Sequence, residues 1–448
     1  MEASGTFCIL GAGASGLAVA KNFAQRGLSV EVLESEDDVG GNWYYGRRCS
    51  SVYASTHLIS SKRMTQFADF PMPKEYPPYP SHRQALDYLR DYGRHFGLYD
   101  HIRFGQSVTR VEQQAASSPA GSTPNWLVTT ADGQSRQYRG LVVANGHHSQ
   151  PRWPDVPGEF SGQQIHAHDY KTPDILAGKR VLVVGAGNSG CDIAVEAAQH
   201  AAAVFHSIRR GYHFLPKFLL GTPIDAGGEW FNRWRFPRWA QRWITGWLSH
   251  VALGPPERYG LPRPDHRLFE THPIVNSQLL YFVGHGKIQI CPAIERLCGD
   301  SVRFADGREE PIDLIVFATG YEVSLPFLDR ELIFDESGRP RLFLNAFHPQ
   351  LDNLFVAGLI QPNSGSWALV DWQARLMAAF VVAQKHDPPR AAWFRRLKAA
   401  GHDDLSGGIR YVRSERHQLE VEYFSYRQRL QRLVRKMESQ SRQQPAAR

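Results

Sequence analysis

Residues 7–16, FCILGAGASG, and residues 181–190, VLVVGAGNSG, share one sequence pattern. In each stretch an apolar run leads into Gly-x-Gly-x-x-Gly and then into residues with helical periodicity. The first glycine permits a tight turn, the second lets the backbone approach a pyrophosphate, and the third lets helix and strand pack closely. One match alone is weak support, but two matches in the same context predict two dinucleotide-binding units.

The residues around both loops predict the opening β-α-β of a doubly wound sheet. In the first unit we expect a strand over residues 6–10, a helix to about Arg26, and a strand SVEVLE that ends at Glu34. In the second unit we expect a strand RVLVVG over 180–185, a helix from about Asn188 to His200, and a strand over 202–209. The fold class is therefore α/β, with two Rossmann-like dinucleotide-binding domains.

The residue types at the end of the second strand distinguish the two units. Glu34 ends the strand after the first loop, where a carboxylate accepts hydrogen bonds from a ribose and repels a 2′-phosphate. The matching place in the second unit reads HSIRRG, so Ser207, Arg209 and Arg210 stand there without an acid. Guanidinium groups suit a 2′-phosphate. The first loop is thus predicted to bind FAD or NAD and the second NADPH, with two exposed arginines of no binding role as the alternative.

Composition excludes several classes of protein. The chain has 448 residues, 42% of them hydrophobic, and no apolar run long enough to span a membrane. A strand is predicted within about six residues of Met1, which leaves no room for a signal peptide. The five cysteines contain no Cys-x-x-Cys pair, so we expect no disulfide framework and a cytoplasmic location.

The net charge of +7 is concentrated at the C-terminus, where the residues from Ile409 onward include ten Lys/Arg and four Asp/Glu. We interpret this segment as a solvated basic helix, because a nucleic-acid-binding protein would carry its charge on a folded face. No nucleic acid is therefore expected as a partner.

Two dinucleotides are useful together when a soluble hydride donor reduces a bound flavin. The electrons then need an outlet. A redox disulfide is disfavoured, because Cys291 and Cys298 in CPAIERLC are separated in sequence and Pro292 lies between them. Dioxygen is the other general outlet.

The segment between the two units carries a family resemblance. FSGQQIHAHDY, residues 160–170, matches the Phe-x-Gly-x-x-x-His-x-x-x-Tyr fingerprint of flavin-containing monooxygenases at Phe160, Gly162, His166 and Tyr170. DDVGGNW, FATGY, THPIVN and NGHHSQP also resemble segments of that family, and the resemblance covers roughly residues 5–385. Related Baeyer–Villiger monooxygenases usually carry Trp where Tyr170 stands, so the fingerprint favours the N- and S-oxygenating branch.

The resemblance implies an FAD- and NADPH-dependent monooxygenase. NADPH would reduce FAD, dioxygen would form a flavin 4a-hydroperoxide, and one oxygen atom would pass to a small amine or sulfide while the protein keeps the site dry. The implied partners are NADPH, dioxygen and a small-molecule substrate, and a homodimer is one assembly that the sequence allows. Baeyer–Villiger oxygenation of ketones, decarboxylating oxygenation, an NADPH oxidase or acceptor reductase, and a nucleotide sensor remain as alternatives.

The resemblance also assigns candidate site residues. For the chemistry the candidates are His57, Ser60, Tyr170 and Asn276, and Ile59 departs from the family because many members carry Asn at its place, which puts the lifetime of the hydroperoxide in doubt. The candidate cofactor contacts are Gly11, Ala12, Gly13, Ala14, Ser15, Gly16, Glu34, Gly41, Asn42, Trp43, Gly146, Gly185, Gly187, Asn188, Ser189, Gly190, Ser207, Arg209, Arg210, Thr319, Gly320 and Gln361. No metal site is predicted.

The predicted domain order inserts the NADPH domain into the FAD domain. We expect residues 1–170 to begin the FAD domain, 171–312 to form the NADPH domain, and 313–448 to complete the FAD domain and the basic tail. A strand in PIDLIVFATGY is interpreted as the return to the first domain. A helical insert around residues 225–260 aligns Trp239, Trp243, Trp247 and Val251 on one face, which favours packing over the NADPH domain, with contact to a membrane surface as the alternative.

Overall fold

The apolar runs before the two glycine loops form central strands of two separate sheets in the computed structural model of the chain. The structure describes residues 4–114, 125–234, 236–401, 404–412 and 417–439, and it describes only the backbone of Ser4, Trp230, Arg233 and Arg238. The polar stretch 115–125, expected to form a loop or hairpin tip, lies outside the described residues except for Asn125.

The strands pair into two large sheets and several small ones. In chain order they are β1 Ser4–Leu10, β2 Val30–Leu33, β3 Ile102–Arg103, β4 Val108–Gln114, β5 Asn125–Thr130, β6 Ser135–Val143, β7 Gln150–Pro151, β8 Gly158–Phe160, β9 Gln163–His166, β10 Arg180–Val184, β11 Ala203–Ser207, β12 Phe214–Leu215, β13 Phe218–Leu219, β14 Thr222–Pro223, β15 Ile274–Val275, β16 Gln289–Cys291, β17 Ile294–Gly299, β18 Ser301–Phe304, β19 Glu309–Pro311, β20 Leu314–Phe317, β21 Tyr321–Glu322, β22 Leu354–Val356, β23 Gln361–Pro362 and β24 Glu420–Val421.

The helices cover these sheets and form the insert and the C-terminal region. They are α1 Ala14–Ala24, α2 Lys62–Thr65, α3 His82–His95, α4 Asn188–His200, α5 Ile224–Arg233, α6 Arg238–Leu253, α7 Gln278–Gly284, α8 Trp367–His386, α9 Pro388–Ala399 and α10 Tyr423–Glu438. Short 3-10 turns occur at Gly41–Trp43, Leu98–His101, Pro173–Leu176, Pro256–Tyr259 and Arg330–Leu332. None of the helices in the described residues has both the length and the hydropathy that crossing a bilayer requires.

The first sheet has the strand order β3-β2-β1-β6-β5-β4, and β22 also pairs with β6. Strands β1, β2, β3, β6 and β22 are parallel, whereas β4 and β5 form an antiparallel edge. Phe7, Cys8 and Ile9 are buried, as expected of a parallel strand covered on both faces. The predicted β-α-β opening is confirmed, with the helix ending at Ala24 rather than near Arg26.

The second sheet has the order β16-β11-β10-β20-β9, and all its pairings are parallel. The predicted helix over Asn188–His200 is confirmed. The expectation that the strand in PIDLIVFATGY returns to the first domain is wrong, because that strand is β20 and pairs with β10 and β9. Its four residues are all buried, so its apolar pattern fits a central strand of either sheet. The chain rejoins the first sheet only at β22.

The segment of the fingerprint is placed accordingly. Strand β9, residues Gln163–His166, belongs to the second sheet, although it lies within the range expected to begin the FAD domain. Strand β8, which comes just before β9 in the chain, belongs to a separate small sheet with the order β19-β18-β17-β8. The crossing between the two units therefore comes before β9 and not at residue 170.

The C-terminal helix is more than a solvated basic segment. One face of α10 is buried at Tyr426, Leu430, Leu433 and Val434 and packs with α8 in the core of the first unit. Its arginines and Lys436 lie on the remaining surface of the helix. The helix buries this face because it is amphipathic, with an apolar residue at every third or fourth position. Net charge alone does not reveal that pattern.

The insert helix α6 presents two different faces. Gln241, Arg242 and Thr245 line the large cavity described below. The side chains of Trp239, Trp243 and Trp247 are 73%, 67% and 55% exposed. The helix contacts β12, and contact of the tryptophan face with a membrane surface stays the untested alternative.

Candidate functional site

A single large cavity connects the two glycine loops. Its volume is about 1920 Å³, against roughly 300–1,000 Å³ for a pocket that holds one small ligand. Gly11 and Gly13 of the first loop line it, and so do Gly185 and Gly187 of the second. The cavity therefore has room for two dinucleotides, and both loops open into it.

The first loop is closely packed around its glycines. Gly11 has φ +102°, and a Cβ on it would stand 2.8 Å from the carbonyl oxygen of Ala144. A Cβ on Gly16 would stand 1.8 Å from the carbonyl oxygen of Gly11. Helix α1 can therefore pack this closely against the loop only because residue 16 has no side chain. The N-terminus of α1, which begins at Ala14 after Gly13, consequently opens into the cavity, where its free N–H groups suit phosphate.

Glu34 stands at the end of β2 as the sequence predicts. The Ala12 N–H donates to its Oε2 at 2.6 Å, and the Glu36 N–H donates to its Oε1 at 2.9 Å. Glu34 is 4% exposed and lines the cavity. The carboxylate is thus fixed beside the first loop, with acceptor capacity left for a ribose hydroxyl.

A second segment closes over the first loop. Gly41 approaches it so closely that its Cβ would be 3.0 Å from the Gly13 Cα. The Asn42 Oδ1 accepts from the Ser51 N–H and Oγ at 2.8 Å each, and the Trp43 ring packs edge-on against Trp367. These contacts hold the segment on the cavity wall, where Gly41, Asn42 and Trp43 all have lining atoms.

The second loop repeats the geometry of the first. Gly185 has φ +111°, and a Cβ on Gly190 would stand 2.0 Å from the Gly185 carbonyl oxygen. Asn188 begins α4 and its Oδ1 accepts from the Val275 N–H at 3.0 Å. Gly187, Asn188 and Ser189 line the cavity, so this helix N-terminus is also available to a phosphate.

The three polar residues at the end of β11 make different contacts. The Ser207 Oγ donates to the Pro292 carbonyl at 2.7 Å. The Arg210 Nε donates to both oxygens of Asp265, at 2.8 and 2.9 Å. Arg209 is exposed and lines the cavity, and within the described residues it pairs with no carboxylate. Arg209 is therefore the better placed of the two arginines to contact a phosphate.

Most of the remaining predicted cofactor contacts also lie on the cavity. Ala14, Ser15, Gly146, Thr319, Gly320 and Gln361 all contribute to its lining. Three predicted contacts, Ala12, Gly16 and Gly190, are not among the lining residues. Ala12 is fully buried and contacts Glu34 through its backbone, and the two glycines pack against the carbonyl groups of Gly11 and Gly185. Both cradles thus fit a dinucleotide by shape, by their helix N-termini and by the charge at the end of the second strand.

The segment that departs from the family pattern is on the cavity wall. The His57 Nδ1 lies 2.8 Å from the Ser55 carbonyl oxygen, and the Ser60 Oγ lies 2.7 Å from the Thr65 Oγ1. Ile59 is 42% exposed and lines the cavity between them. His57 and Ser60 are therefore available to a ligand, while Ile59 offers it an apolar contact only.

Asn276 lies beneath the wall rather than on it. It is 4% exposed, its Oδ1 accepts from the Leu279 N–H at 2.9 Å, and its Nδ2 donates to Asp192 at 2.6 Å. The contact with a cofactor that we expected from its side chain is disfavoured by these bonds. Asp192 itself lines the cavity, and burial raises its pKa against the opposing effects of Lys217 and Asn276.

Tyr170, a candidate for the chemistry, is not among the residues that line the cavity. The residue is fully buried in the second core, its hydroxyl donates to the Glu196 carboxylate at 2.6 Å, and its ring packs against Tyr53. Burial raises the pKa of Tyr170. The fingerprint tyrosine thus positions helix α4. His166 of the same fingerprint does line the cavity.

Three acidic side chains in or beside the site escaped the sequence analysis. Asp192 and Glu196 are four residues apart in the helix that follows the second loop, and that spacing places them on one face. Asp225 in the insert accepts from the Ser61 N–H at 2.6 Å, has its other oxygen buried without a partner, and lines the cavity. Burial raises the pKa of Asp225. No motif marks Asp225, because the insert lacks a readable pattern.

Comparison with known proteins agrees with this geometry. The chain matches the model of the family described as flavin-binding monooxygenase-like over residues 5–439. It is 33% identical to flavin-containing monooxygenase 5 of Oryctolagus cuniculus over 453 aligned positions, which cover 95% of this chain and 82% of the relative.

Two solved structures share the fold. The S-allyl-L-cysteine S-oxygenase of Allium sativum superposes with a TM-score of 0.65 at 21% identity, covering 96% of this chain and 88% of that one. A cyclohexanone-bound cyclohexanone monooxygenase superposes with a TM-score of 0.67 at 18% identity, covering 96% and 97%.

Proposed function

Because the chain belongs to the flavin-binding monooxygenase-like family, we propose that it uses NADPH and dioxygen to transfer one oxygen atom to a small amine or sulfide. Membership makes it a flavoprotein monooxygenase that depends on FAD and NADPH. The branch, the substrate class and the residues in contact with each cofactor belong to the proposal.

One observation carries the assignment of the cofactors to the loops. The two cradles open into one cavity, with the Glu34 carboxylate at one and, at the other, the Arg209 side chain, which pairs with no carboxylate of a described residue. We assign FAD to the loop at Gly11, with its pyrophosphate at the start of α1 and a ribose on Glu34. We assign NADPH to the loop at Gly185, with its 2′-phosphate on Arg209.

A flavin held at the first loop would, when bound, supply the electrons that activate dioxygen for transfer to the substrate. The chain's own residues orient the two dinucleotides and exclude water. Leu58, Ile59 and Trp367 contribute apolar surface to the cavity, which lowers the local polarity around the reacting atoms. Ile59 offers no hydrogen bond at the place where relatives carry Asn, so we expect part of the NADPH turnover to end as hydrogen peroxide.

The charge of the cavity supports an amine over a ketone. Asp192 and Asp225 are largely buried carboxyl groups on its wall. In their ionised forms these two carboxyl groups attract a cationic ligand and give a neutral ketone no comparable attraction. Tyr170 at the end of the fingerprint supports the same branch.

A substrate panel tests the proposal. Purified flavin-loaded protein is mixed with NADPH and, in turn, with a dialkyl sulfide, a tertiary amine and a cyclic ketone, while NADPH, product and hydrogen peroxide are quantified together. We expect sulfoxide and N-oxide with some peroxide. Lactone as the main product would identify a Baeyer–Villiger enzyme, and peroxide equal to NADPH consumed on every substrate would identify an oxidase.

A further inference from the structure

One wall of the cavity contains an imidazole backed by a carboxylate. His272 precedes β15 in the second unit, and Glu420 lies in β24, which pairs with β23 of the first unit. The His272 Nδ1 is 3.9 Å from the Glu420 Oε1. The two side chains therefore meet where the second unit contacts the C-terminal part of the chain.

In the part of the chain that the structure describes, no hydrogen-bond donor compensates the carboxylate. The Glu420 side chain is 1% exposed, and neither of its oxygens accepts a hydrogen bond from a described residue. Among the described residues no lysine or arginine pairs with it. Burying a carboxylate without a hydrogen-bond donor costs free energy. A proton on His272 would place a positive charge beside this carboxylate.

The neighbouring charged groups are already committed. Arg242 of α6 lines the cavity and its Nη1 is 3.9 Å from the Glu270 Oε1. Glu422 accepts from the N–H groups of Phe424 and Ser425 at the start of α10. Within the described ranges these contacts leave the imidazole as the partner of Glu420.

The other edge of the ring is open. His272 lines the cavity and its side chain is 18% exposed, although its Nδ1 is buried without a hydrogen bond. The exposed edge is therefore the one that carries Nε2. An imidazole with a carboxylate behind Nδ1 and a free Nε2 has the arrangement of a proton acceptor.

We propose that His272 accepts the proton of an ammonium substrate in the cavity and that Glu420 is a positioning residue that stabilises the resulting imidazolium. This inference rests on the proposed function. The N–H bond of the ammonium breaks, its electron pair stays on the nitrogen, and the proton bonds to Nε2, from which water in the cavity removes it. An ammonium has no lone pair, so an alkylamine becomes a nucleophile only after this step.

The test compares substrates that differ in whether they carry a proton. The activities of H272N and E420Q on a strongly basic trialkylamine, a weakly basic N,N-dialkylaniline and a dialkyl sulfide are measured at neutral pH with the flavin-loaded protein. We expect H272N to lower kcat/KM for the trialkylamine about 100-fold, the usual size of a general-base effect. At neutral pH the aniline and the sulfide carry no proton that must be removed. For these two substrates we expect kcat/KM to change by less than about twofold.

Two further measurements separate a proton acceptor from a structural residue. Raising the pH should restore the trialkylamine activity of H272N, because more of the amine is then free in solution, and E420Q should show the same selectivity with a smaller loss. H250N, a change at an exposed histidine of α6 outside the cavity, serves as the matched control and should leave all three activities unchanged.

Each remaining outcome overturns the inference. An equal loss on all three substrates would show that His272 supports the fold or a cofactor, and an unchanged trialkylamine activity would show that it takes no proton. Wild-type protein that oxygenates the sulfide but no amine would end this inference and leave the proposed function standing. Protein that oxygenates neither would remove both.

Discussion

At the scale of the residue, Arg209 and Arg210 are neighbours in sequence with different surroundings. Arg210 is held by Asp265, whereas Arg209 faces the cavity. We predict that Arg209→Ala raises the KM for NADPH about 10- to 100-fold, since a hydrogen bond to a charged group contributes roughly 1.5–3 kcal/mol. The KM for NADH should change by less than about twofold, because NADH lacks the phosphate. Steady-state kinetics with both nucleotides measures this.

Arg210→Ala is the matched control for that substitution. Its side chain is already paired, so we expect a smaller effect on NADPH and none on NADH. Equal losses of both nucleotides in R209A would refute the assignment of NADPH to the second loop, as would a larger loss in R210A than in R209A.

Lys21 gives a second prediction about a single side chain. It is 2% exposed, and its Nζ lies 2.6 Å from Asp69 and 2.8 Å from Asp371. Lys21→Met leaves the Asp371 carboxylate buried with Asn22 alone, and we expect a loss of about 3–5 kcal/mol in the free energy of unfolding. Arg94→Met, which breaks an exposed pair with Asp91, should cost less than about 1 kcal/mol. Urea unfolding measures the free energy of unfolding of both variants. Similar losses would show that the buried ion pairs of Lys21 stabilise the fold no more than an exposed pair does.

At the scale of the element, the third glycine of each loop decides whether its helix can approach its strand. An added Cβ would overlap a backbone carbonyl at Gly16 and at Gly190 alike. We predict that Gly16→Ala yields protein that retains little flavin, while Gly190→Ala retains flavin and loses its response to NADPH. Flavin absorbance after gel filtration and the rate of flavin reduction by NADPH measure the two effects separately.

Gly5→Ala is the control for these two variants. Gly5 is exposed, and a Cβ there would meet nothing within 4 Å, so both properties should stay at the wild-type level. Loss of flavin in G190A together with an intact NADPH response in G16A would reverse the assignment of the loops.

The elements also show where sequence reasoning succeeds and where it stops. The strand, loop and helix around each glycine motif were predictable because their backbone geometry requires particular residue types. Strand β20 was assigned to the wrong sheet, since a fully buried apolar run does not state which neighbours it has. His272 and Glu420 could not be paired at all, because they are distant in sequence and meet only through the packing of β15 and β24.

At the scale of the whole molecule, the two sheets belong to separate cores that share one cavity. The second unit is entered before β9 and left after β20, so both connections run along the cavity near the fingerprint segment. Contacts such as Tyr53 with Tyr170, and Ser61 with Asp225, join the first unit to the second and to the insert. We infer that polar and aromatic contacts of this kind fix the separation of the two loops.

Buried histidines make the stability of the whole molecule depend on pH. Burial lowers the pKa of His166, His206 and His348 to about 4, against about 6.5 in an unfolded chain. Between these values the unfolded chain binds protons that the native protein does not, so stability is full above about pH 6.5 and falls as the pH drops towards 4. For His206 alone we expect a loss of about 2 kcal/mol between pH 7 and pH 5.

The variant His206→Gln isolates this contribution. The His206 Nε2 lies 3.0 Å from the carbonyl oxygen of Gly185, and a glutamine amide can donate to the same oxygen without titrating. Urea unfolding at pH 7 and pH 5 should show a smaller loss of stability in H206Q than in the wild type, by about the 2 kcal/mol expected above. The exposed His250→Gln should keep the wild-type dependence. An unchanged pH dependence in H206Q would mean that His206 is protonated as readily in the native protein as in the unfolded chain.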